Sequence, residues 1–298
     1  MGDTVGGTSG RGTDPWAKWL LEGRHGGDPA RLEQMVPALV QYRDTVLDHA
    51  DIRAGDVVVD VGCGDGLLGL SALPRVGGTG RVVFADISAE LLDRCRELTD
   101  ELDVGDRCWF IRTGLPDLAG LDDGSADVAM TRSVLIYVAD KAAALRSLHR
   151  VLRPGGRLSV FEPINSFGWP EPVGRLWGYD VTGLEVIAAK VKDAFHRAQP
   201  GTASMVDFDE RDLLAHAEAA GFSDVHMDYR VSIGAVPVDD WQGLLRYVPN
   251  PLSPSVGEVL GEALDPSEYD ALAGRIQDQI AAGHKRQRSA VAYLWATR

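Results

Sequence analysis

The sequence predicts an α/β fold in which a mostly parallel sheet is covered by helices on both faces. Short apolar runs rich in β-branched residues recur between residues 56 and 162, and segments with helical spacing alternate with them. Continuous apolar runs are typical of strands buried on both faces, and strand–helix alternation is typical of a parallel sheet. A chain of 298 residues is long enough for one such domain carrying substantial insertions.

The alternation defines five strands with helices between them. The strands are predicted at residues 56–61, 81–86, 107–112, 125–131 and 157–162. The helices are predicted at residues 66–73, 88–102 and 140–152. Ser88 has the residue type and position of an N-cap, and Pro154-Gly-Gly156 marks the turn before the fifth strand.

The segments that flank these units differ from them in composition. Glycine, threonine and serine dominate the segment 1–13, which predicts a disordered tail, and proline and tryptophan interrupt the pattern after Glu162. A capping box at 207–210 and Gly221 delimit a further predicted helix. We therefore divide the chain as follows: 1–13 tail, 14–50 N-terminal helical segment or lid, 51–162 core, 163–206 lid insertion, 207–236 core helix and sixth strand, 237–286 second insertion, 287–298 final strand.

Composition excludes several classes of function. Lys and Arg total 30 against 44 Asp and Glu, and a net charge of −14 disfavours nucleic acid and membrane surfaces as partners. No apolar stretch reaches the roughly 18 residues of a membrane span, and the first residues lack a secretory-signal pattern. Three cysteines without CxxC spacing indicate reduced thiols and no structural metal. We expect a cytoplasmic protein, monomeric or homodimeric.

A glycine-rich turn follows the first predicted strand, with the sequence Asp60-Val-Gly62-Cys-Gly64-Asp-Gly66. Glycines at alternate positions allow a tight turn and a close approach of ligand to the next helix. The GxGxG spacing departs from the GxGxxG of dinucleotide sites, and the acids Asp60 and Asp65 would repel a pyrophosphate. They would attract an ammonium or sulfonium centre, and S-adenosylmethionine carries both and has no phosphate.

Asp86 ends the second predicted strand, the first strand after the glycine-rich turn. An acid at this position can accept hydrogen bonds from both ribose hydroxyls of an adenosine. NAD and S-adenosylmethionine share that group, so Asp86 indicates adenosine without deciding between the two.

Four segments together resemble the class I S-adenosylmethionine-dependent methyltransferases, particularly the ubiquinone/menaquinone-biosynthesis subgroup and its natural-product relatives. They are Val-Val-Asp60-Val-Gly-Cys-Gly-Asp-Gly66, Phe-Ala-Asp86-Ile-Ser, Leu121-Asp-Asp-Gly-Ser-Ala-Asp127-Val and Leu148-His-Arg-Val-Leu-Arg-Pro-Gly-Gly-Arg-Leu158, and the likeness extends to residues 134–141. The resemblance covers residues 52–162 and, more loosely, the last two strands. It implies a doubly wound, mostly parallel seven-stranded sheet of order 3-2-1-4-5-7-6, with N-terminal helices and helical lid insertions.

The resemblance also implies roles for individual residues with S-adenosyl-L-methionine as cofactor. Gly62, Gly64 and Gly66 would contact its methionine and ribose portions, Asp60 and Asp65 would lie near its amino-acid end, and Asp86 would bind the ribose. Ile87 would contact the adenine, and the backbone of Arg132 the methionine end. Where relatives read Gly-Asp before the fourth strand, this chain reads Gly114-Leu115, so backbone groups there, or Asp117, would have to bind the adenine.

Candidates for acceptor binding and catalysis follow from position. Ligands of open α/β sheets sit beyond the carboxyl ends of the strands, so Glu162 is a candidate for both roles. Tyr137, Trp169, Trp177 and Tyr179 are candidates for the acceptor wall, and His25 and His196 are candidate general bases. Cys63 has no neighbouring base in the sequence and is interpreted as a small buried residue.

The function that fits best is methyl transfer from S-adenosylmethionine to a small hydrophobic or aromatic molecule. O-methylation is favoured and C-methylation comes next, by in-line displacement, in which alignment supplies much of the rate. Three alternatives stay open: methylation of a peptide carboxylate, an NAD(P)-dependent oxidoreductase, and a protein that binds S-adenosylmethionine without methylating.

Overall fold

The computed structural model of the chain describes residues 14–23, 29–198, 202–238 and 240–298. Seven strands form one sheet: β1 (Val57–Val61), β2 (Arg81–Asp86), β3 (Cys108–Arg112), β4 (Ala126–Arg132), β5 (Leu152–Pro163), β8 (Ser223–Ala235) and β9 (Arg286–Thr297). Their order is β3-β2-β1-β4-β5-β9-β8. The first five strands run parallel, and β9 pairs antiparallel with both β5 and β8. The predicted fold is confirmed.

Helices cover both faces of the sheet because alternate side chains of each strand point to opposite faces. They are α2 (Pro29–His49), α3 (Leu67–Val76), α4 (Ala89–Glu101), α5 (Lys141–Val151) and α8 (Glu210–Ala220). Residues of α2, α3 and α4 form a core with β1, β2 and β4 on one face, and residues of α5 and α8 form a larger core on the other. A four-residue helix, α1 (Pro15–Lys18), and a π-helical turn (Trp19–Gly23) precede α2.

The two insertions pack around one shared apolar core, and the described parts of residues 163–206 and 237–286 are together named the lid. That core joins buried side chains of the first insertion, such as Tyr179 and Val191, to those of the second, such as Leu260 and Ile276. The lid elements are α6 (Asn165–Gly168), β6 (Arg175–Leu176), β7 (Tyr179–Asp180), α7 (Glu185–Ala198), α9 (Trp241–Arg246), α10 (Val256–Ala263) and α11 (Pro266–Ala281). The sequence predicted two separate insertions, and only the structure shows that they pack together.

Lys141 joins the lid to the core at the start of α5. Its side chain is 4% exposed, and Nζ donates to the carbonyls of Val138 (3.1 Å) and Ser204 (2.9 Å) and to Oδ1 of Asp207 (2.6 Å). A buried ammonium is tolerated because each of its donors can find such an acceptor. The lysine therefore connects the loop after β4 to the end of the first insertion.

Of two predictions about helix starts, one is confirmed and one was wrong in its position. Ser88 accepts the N–H of Leu91 and is the N-cap of α4, as predicted. The capping box of α8 is formed by Asp209 and Asp212, so the prediction that it spans 207–210 was wrong in its position. Several acids near one helix start make this position hard to predict. The tail proposed for residues 1–13 lies outside the described residues.

Strand β5 is longer than the predicted 157–162, because Leu152 already pairs with Ala126 of β4, ahead of an irregularity in the register. Among the described residues, no helix is long and apolar enough to cross a membrane.

Candidate functional site

A cavity of about 220 Å³ lies at the carboxyl ends of β1, β2 and β4. Nine of the ten predicted cofactor-binding residues line it, which brings together positions as distant in the chain as Asp60 and Arg132. These nine are Asp60, Gly62, Gly64, Asp65, Asp86, Ile87, Gly114, Leu115 and Arg132. Gly66 is not part of the lining. It is the N-cap of α3 with φ +88°, and a Cβ there would contact Leu70 at 3.0 Å and Sγ of Cys95 at 3.2 Å.

Two further glycines of the glycine loop, the turn of residues 60–66, are in the left-handed region. Gly62 has φ +69° and Gly64 has φ +56°, a conformation that side chains with a Cβ rarely adopt. A Cβ on Gly62 would lie 2.4 Å from Cγ2 of Val134, and one on Gly64 would lie 3.0 Å from Cδ2 of Leu20. The glycines therefore let the loop approach Val134 and Leu20, which line the same cavity.

Asp86 holds this loop against the end of β2. Its Oδ2 accepts the N–H of Gly64 at 2.9 Å, and its Oδ1 accepts the N–H of Ser88 at 2.9 Å. The side chain is buried, and desolvation raises its pKa above the ordinary value although both amide bonds favour the anion. Each carboxylate oxygen has a second lone pair, so the residue can accept further hydrogen bonds from ribose hydroxyls at the cavity.

Asp60 lies deeper and braces the helix after the loop. It is 1% exposed, and its Oδ2 accepts the N–H of Gly69 at 2.7 Å. Burial raises its pKa to about 7, while the positive charge of Arg132 acts in the opposite direction. With the exposed Asp65, three acids surround the cavity, an electrostatic environment that favours a cationic ligand over a pyrophosphate.

The predicted adenine edge is formed by Ile87, Gly114 and Leu115. A Cβ on Gly114 would meet Cγ2 of Ile87 at 2.5 Å, so glycine is needed for the two segments to approach. Asp117, the alternative adenine ligand, is exposed and does not line the cavity. Thr113 lines the cavity beside Gly114 and was not predicted from the sequence.

The structure does not bring Glu162, predicted as a catalytic and acceptor-contacting group, to the cavity; the residue holds the loop after β4 in place instead. It is fully buried and does not line the cavity. Oε1 accepts the N–H groups of Val134 (2.9 Å) and Leu135 (2.8 Å), and Oε2 accepts that of Ile136 (3.2 Å). The carboxylate thereby shapes the short 3₁₀ helix Leu135–Tyr137, which carries Tyr137 into the cavity.

The structure does not place the three aromatic residues of the first insertion, predicted as an acceptor wall, at the cavity either. Tyr179 is buried in the lid core, and Trp177 packs edge-on against Phe195 in the same cluster. Trp169 is 39% exposed, with Nζ of Lys192 5.9 Å from its ring centre. None of the three lines the cavity. The lid needs an apolar core of its own, and large aromatic side chains are well suited to fill it. Trp177 and Tyr179 are used in that core and do not line the cavity.

Of the two predicted histidine bases, only His196 lies in the part of the chain that the structure describes. His196 is exposed near the end of α7 and does not line the cavity. His25 lies outside the described residues. Cys63 does line the cavity, but its hydrogen bond with Cys95 and its burial raise the pKa of its thiol, which disfavours a nucleophilic thiolate.

Aromatic residues of the N-terminal segment line the cavity instead. Trp16 packs edge-on against Tyr137, with ring centres 4.8 Å apart, and Tyr137 is the one predicted acceptor residue that reaches the lining. Trp19 also lines the cavity, and its Nε1 donates to the carbonyl of Val248 in the second insertion at 3.0 Å. The i, i+3, i+4 pattern of Trp16, Trp19 and Leu20 was the sequence signal for this face, but it predicts only a buried helix side.

The residues present fit an adenosyl donor. Gly62 and Gly64 leave the loop without side chains, Asp86 keeps free acceptor capacity, and Asp60, Asp65 and Arg132 can complement the charges of an amino acid. Within the described ranges, no group of His, Cys, Asp and Glu side chains is arranged to hold a metal ion.

Comparisons with known proteins agree with this geometry. A methyltransferase-domain family model matches residues 58–156. The ubiquinone/menaquinone biosynthesis C-methyltransferase UbiE of Escherichia coli is 31% identical over 201 residues, which cover 65% of this chain and 77% of that protein. The chain belongs to the class I S-adenosylmethionine-dependent methyltransferases. S-adenosyl-L-methionine is the cofactor of this family, and the UbiE-like resemblance is confirmed.

Other relatives of this methyltransferase family match a smaller part of their own length. An uncharacterized 37.1 kDa transposon protein of Streptomyces fradiae is 44% identical over 128 residues, covering 41% of this chain and 34% of that protein. The UbiE of Hahella chejuensis is 39% identical over 121 residues, covering 41% and 48%. The first three relatives are thus matched over about a third to a little over half of their length.

Solved structures share the fold. The YcgJ protein of Bacillus subtilis superimposes with a TM-score of 0.55 at 14% identity, covering 87% of this chain and 98% of that one. A geranyl diphosphate methyltransferase solved with its methyl donor gives a TM-score of 0.50 at 18% identity, covering 92% and 94%.

Replacing Asp86 tests the ribose assignment. Asp86→Ala should weaken binding of S-adenosylhomocysteine at least about ten-fold, because hydrogen bonds to a charged group each contribute roughly 1.5–3 kcal/mol. Isothermal titration calorimetry measures the affinity, and circular dichroism checks the fold. Asp93→Ala is the matched control, since Asp93 is an exposed acid of α4. Equal affinity of Asp86→Ala and wild type would remove the assignment.

Burial of Glu162 raises its pKa from 4.5 to about 7 although three amides donate to it. The folded state therefore holds the proton more tightly, and this stabilisation is lost as the pH rises towards 7. Between pH 5.5 and 8.5 the free energy of unfolding of wild type should fall by about 2 kcal/mol relative to Glu162→Gln, measured by urea unfolding. Asp60 titrates in both proteins and cancels. The raised pKa of Glu162 would be contradicted if the free energy of unfolding of wild type relative to Glu162→Gln stayed constant over this pH range. It would also be contradicted if wild type gained stability relative to the variant as the pH rises.

Proposed function

We propose that this chain transfers a methyl group from S-adenosylmethionine to a small hydrophobic or aromatic acceptor. The observation that carries the proposal is the composition of one cavity, whose lining contains both Asp86 with the glycine loop and the aromatic pair Trp16 and Tyr137. Polar groups suited to an adenosyl donor and an aromatic wall suited to an apolar acceptor thus share one space. Such a combination is typical of small-molecule sites.

The donor supplies an activated methyl group on a sulfonium centre, and the chain has to bind, align and shield. The carboxylate of Asp86 and the bare backbone of the glycine loop bind and orient the donor. Glu162 fixes the loop that carries Val134 and Tyr137, so that the wall facing the donor keeps its shape. Alignment of this kind can supply several kcal/mol of the barrier reduction.

The N-terminal segment excludes water from the reaction space. Trp16, Trp19 and Leu20 line the cavity from outside the sheet, and the bond from Trp19 to Val248 joins that segment to the lid. At about 220 Å³ the cavity is smaller than most ligand sites, so we propose that this segment shifts to admit donor and acceptor and then closes over them.

The proposed acceptor carries its own nucleophile. Among the described lining residues there is no histidine, and a carboxylate or acidic phenol needs no dedicated base. This supports O-methylation as the first choice. C-methylation comes second, supported by the C-methyltransferases named among the relatives. A free peptide carboxylate is a further candidate acceptor, since it shares this chemistry.

Two other functions remain distinguishable by experiment. The protein could bind the donor without transferring its methyl group, in which case the label never leaves the donor. An NAD(P)-dependent oxidoreductase is opposed by the acids around the glycine loop, which would repel a pyrophosphate, and titration with NAD⁺ would report it directly.

Incubation with methyl-labelled S-adenosylmethionine and a panel of phenols, quinols and carboxylic acids tests the proposal. We expect label on an aromatic acceptor, with NMR identifying the methylated atom. Trp16→Ala should raise the acceptor KM about ten-fold and change the donor KM less, because it removes a large apolar contact. Trp109→Ala, a partly exposed tryptophan on β3, is the matched control. Label confined to the donor, or equal effects of both variants, would contradict the proposal.

A further inference from the structure

The last two strands project beyond the rest of the sheet as a two-stranded ribbon. β5 ends at Pro163, which lies opposite Val291 of β9, while pairing of β8 with β9 continues to Ala235 opposite Arg286. β8 is the terminal strand of the sheet, and no further described strand pairs with its outer edge. Its peptide groups on that edge are therefore available for pairing with another chain.

One face of the ribbon carries an apolar stripe. Tyr229, Val231 and Ile233 alternate along β8 and are 36%, 47% and 53% exposed. Directly opposite residues of antiparallel strands share a face, so Arg288, which lies opposite Ile233, belongs to this same face. An exposed apolar stripe on an unpaired edge is unusual in a protein that stays monomeric.

The two ends of the stripe differ in charge. Arg286 and Arg288 lie beside its far end, opposite Ala235 and Ile233. At its near end α8 packs against β8, and the first residues of this helix include the acids Glu210 and Asp209. Burial and the negative charges of these two acids raise the pKa of Tyr229. The stripe thus runs from an acidic end to a basic end.

We propose that the outer edge of β8 is the interface of a homodimer, in which β8 pairs antiparallel with β8 of a second copy. A two-fold axis at Val231 places Val231 against its counterpart and Tyr229 opposite Ile233 of the other copy, and Arg230 faces a serine, Ser232. Every directly opposed pair on the stripe is apolar, and no like charges face each other. Such self-complementarity is what a two-fold interface requires, and strand addition supplies the backbone hydrogen bonds.

The charges favour the same arrangement. In this register Ile233 of one copy lies beside Tyr229 of the other, so Arg288 of the first approaches the acidic start of α8 in the second. Each copy contributes one such contact, because the axis relates them. Opposite charges around the stripe thus oppose the repulsion expected between two chains of net charge −14.

The paired segment is short, so the dimer should be weak and concentration-dependent. Interfaces at the small end of the usual size range are typical of transient association, and we expect a dissociation constant on the order of 10 µM. Sedimentation velocity at protein concentrations from about 1 to about 200 µM should show monomer converting to dimer. This range lies on both sides of the expected dissociation constant.

Variants distinguish this surface from any other. Val231→Lys should abolish dimerisation, while Val186→Lys, at a 74% exposed valine of α7, should not. Arg288→Glu should weaken the dimer at least about five-fold, and the double variant Arg288→Glu, Glu210→Arg should restore it by exchanging the paired charges. Unchanged binding of S-adenosylhomocysteine by Val231→Lys verifies its fold.

Two results would overturn the proposal. The first is a monomer at every concentration tested, which would show that β8 does not pair with a second copy of the chain. The second is a dimer that Val231→Lys does not affect, or a charge exchange that restores nothing, since either would place the contact elsewhere.

Discussion

The carboxylate of Asp86 is the group on which the site depends most. It ends β2, holds the glycine loop through the N–H of Gly64, and holds the start of α4 through the N–H of Ser88. One buried acid thus fixes two of the segments that line the cavity. Glu162 does the same for another lining segment, through three amides at residues 134–136. Both acids tolerate burial because backbone donors surround them.

The core half of the site could be predicted from the sequence because its residues are close together along short connections. Asp60 to Gly66 form the end of β1 and the turn after it, Asp86 and Ile87 lie at the end of β2, and parallel strands bring their ends to a common edge. The residue types reveal the ligand class, since bare glycines and acids suit a cationic donor.

The other half could not be predicted, because long-range packing decides it. Trp16 and Trp19 lie well before the first core strand in the chain, and nothing local shows that they reach the cavity. Trp177 and Tyr179 looked equally suitable, but they fill a lid core whose existence depends on the second insertion, which follows only after α8 and β8. Glu162 stood at the right strand end, and only the structure shows that backbone amides occupy its oxygens.

Isothermal titration of the wild-type chain with S-adenosylhomocysteine, and separately with NAD⁺, tests the central claim most directly. The acids around the glycine loop and the acceptor capacity of Asp86 predict saturable binding of the first at micromolar concentrations, on the order expected for a buried adenosyl ligand, and none of the second. Binding of NAD⁺, or no binding of either ligand by a folded sample, would contradict the account.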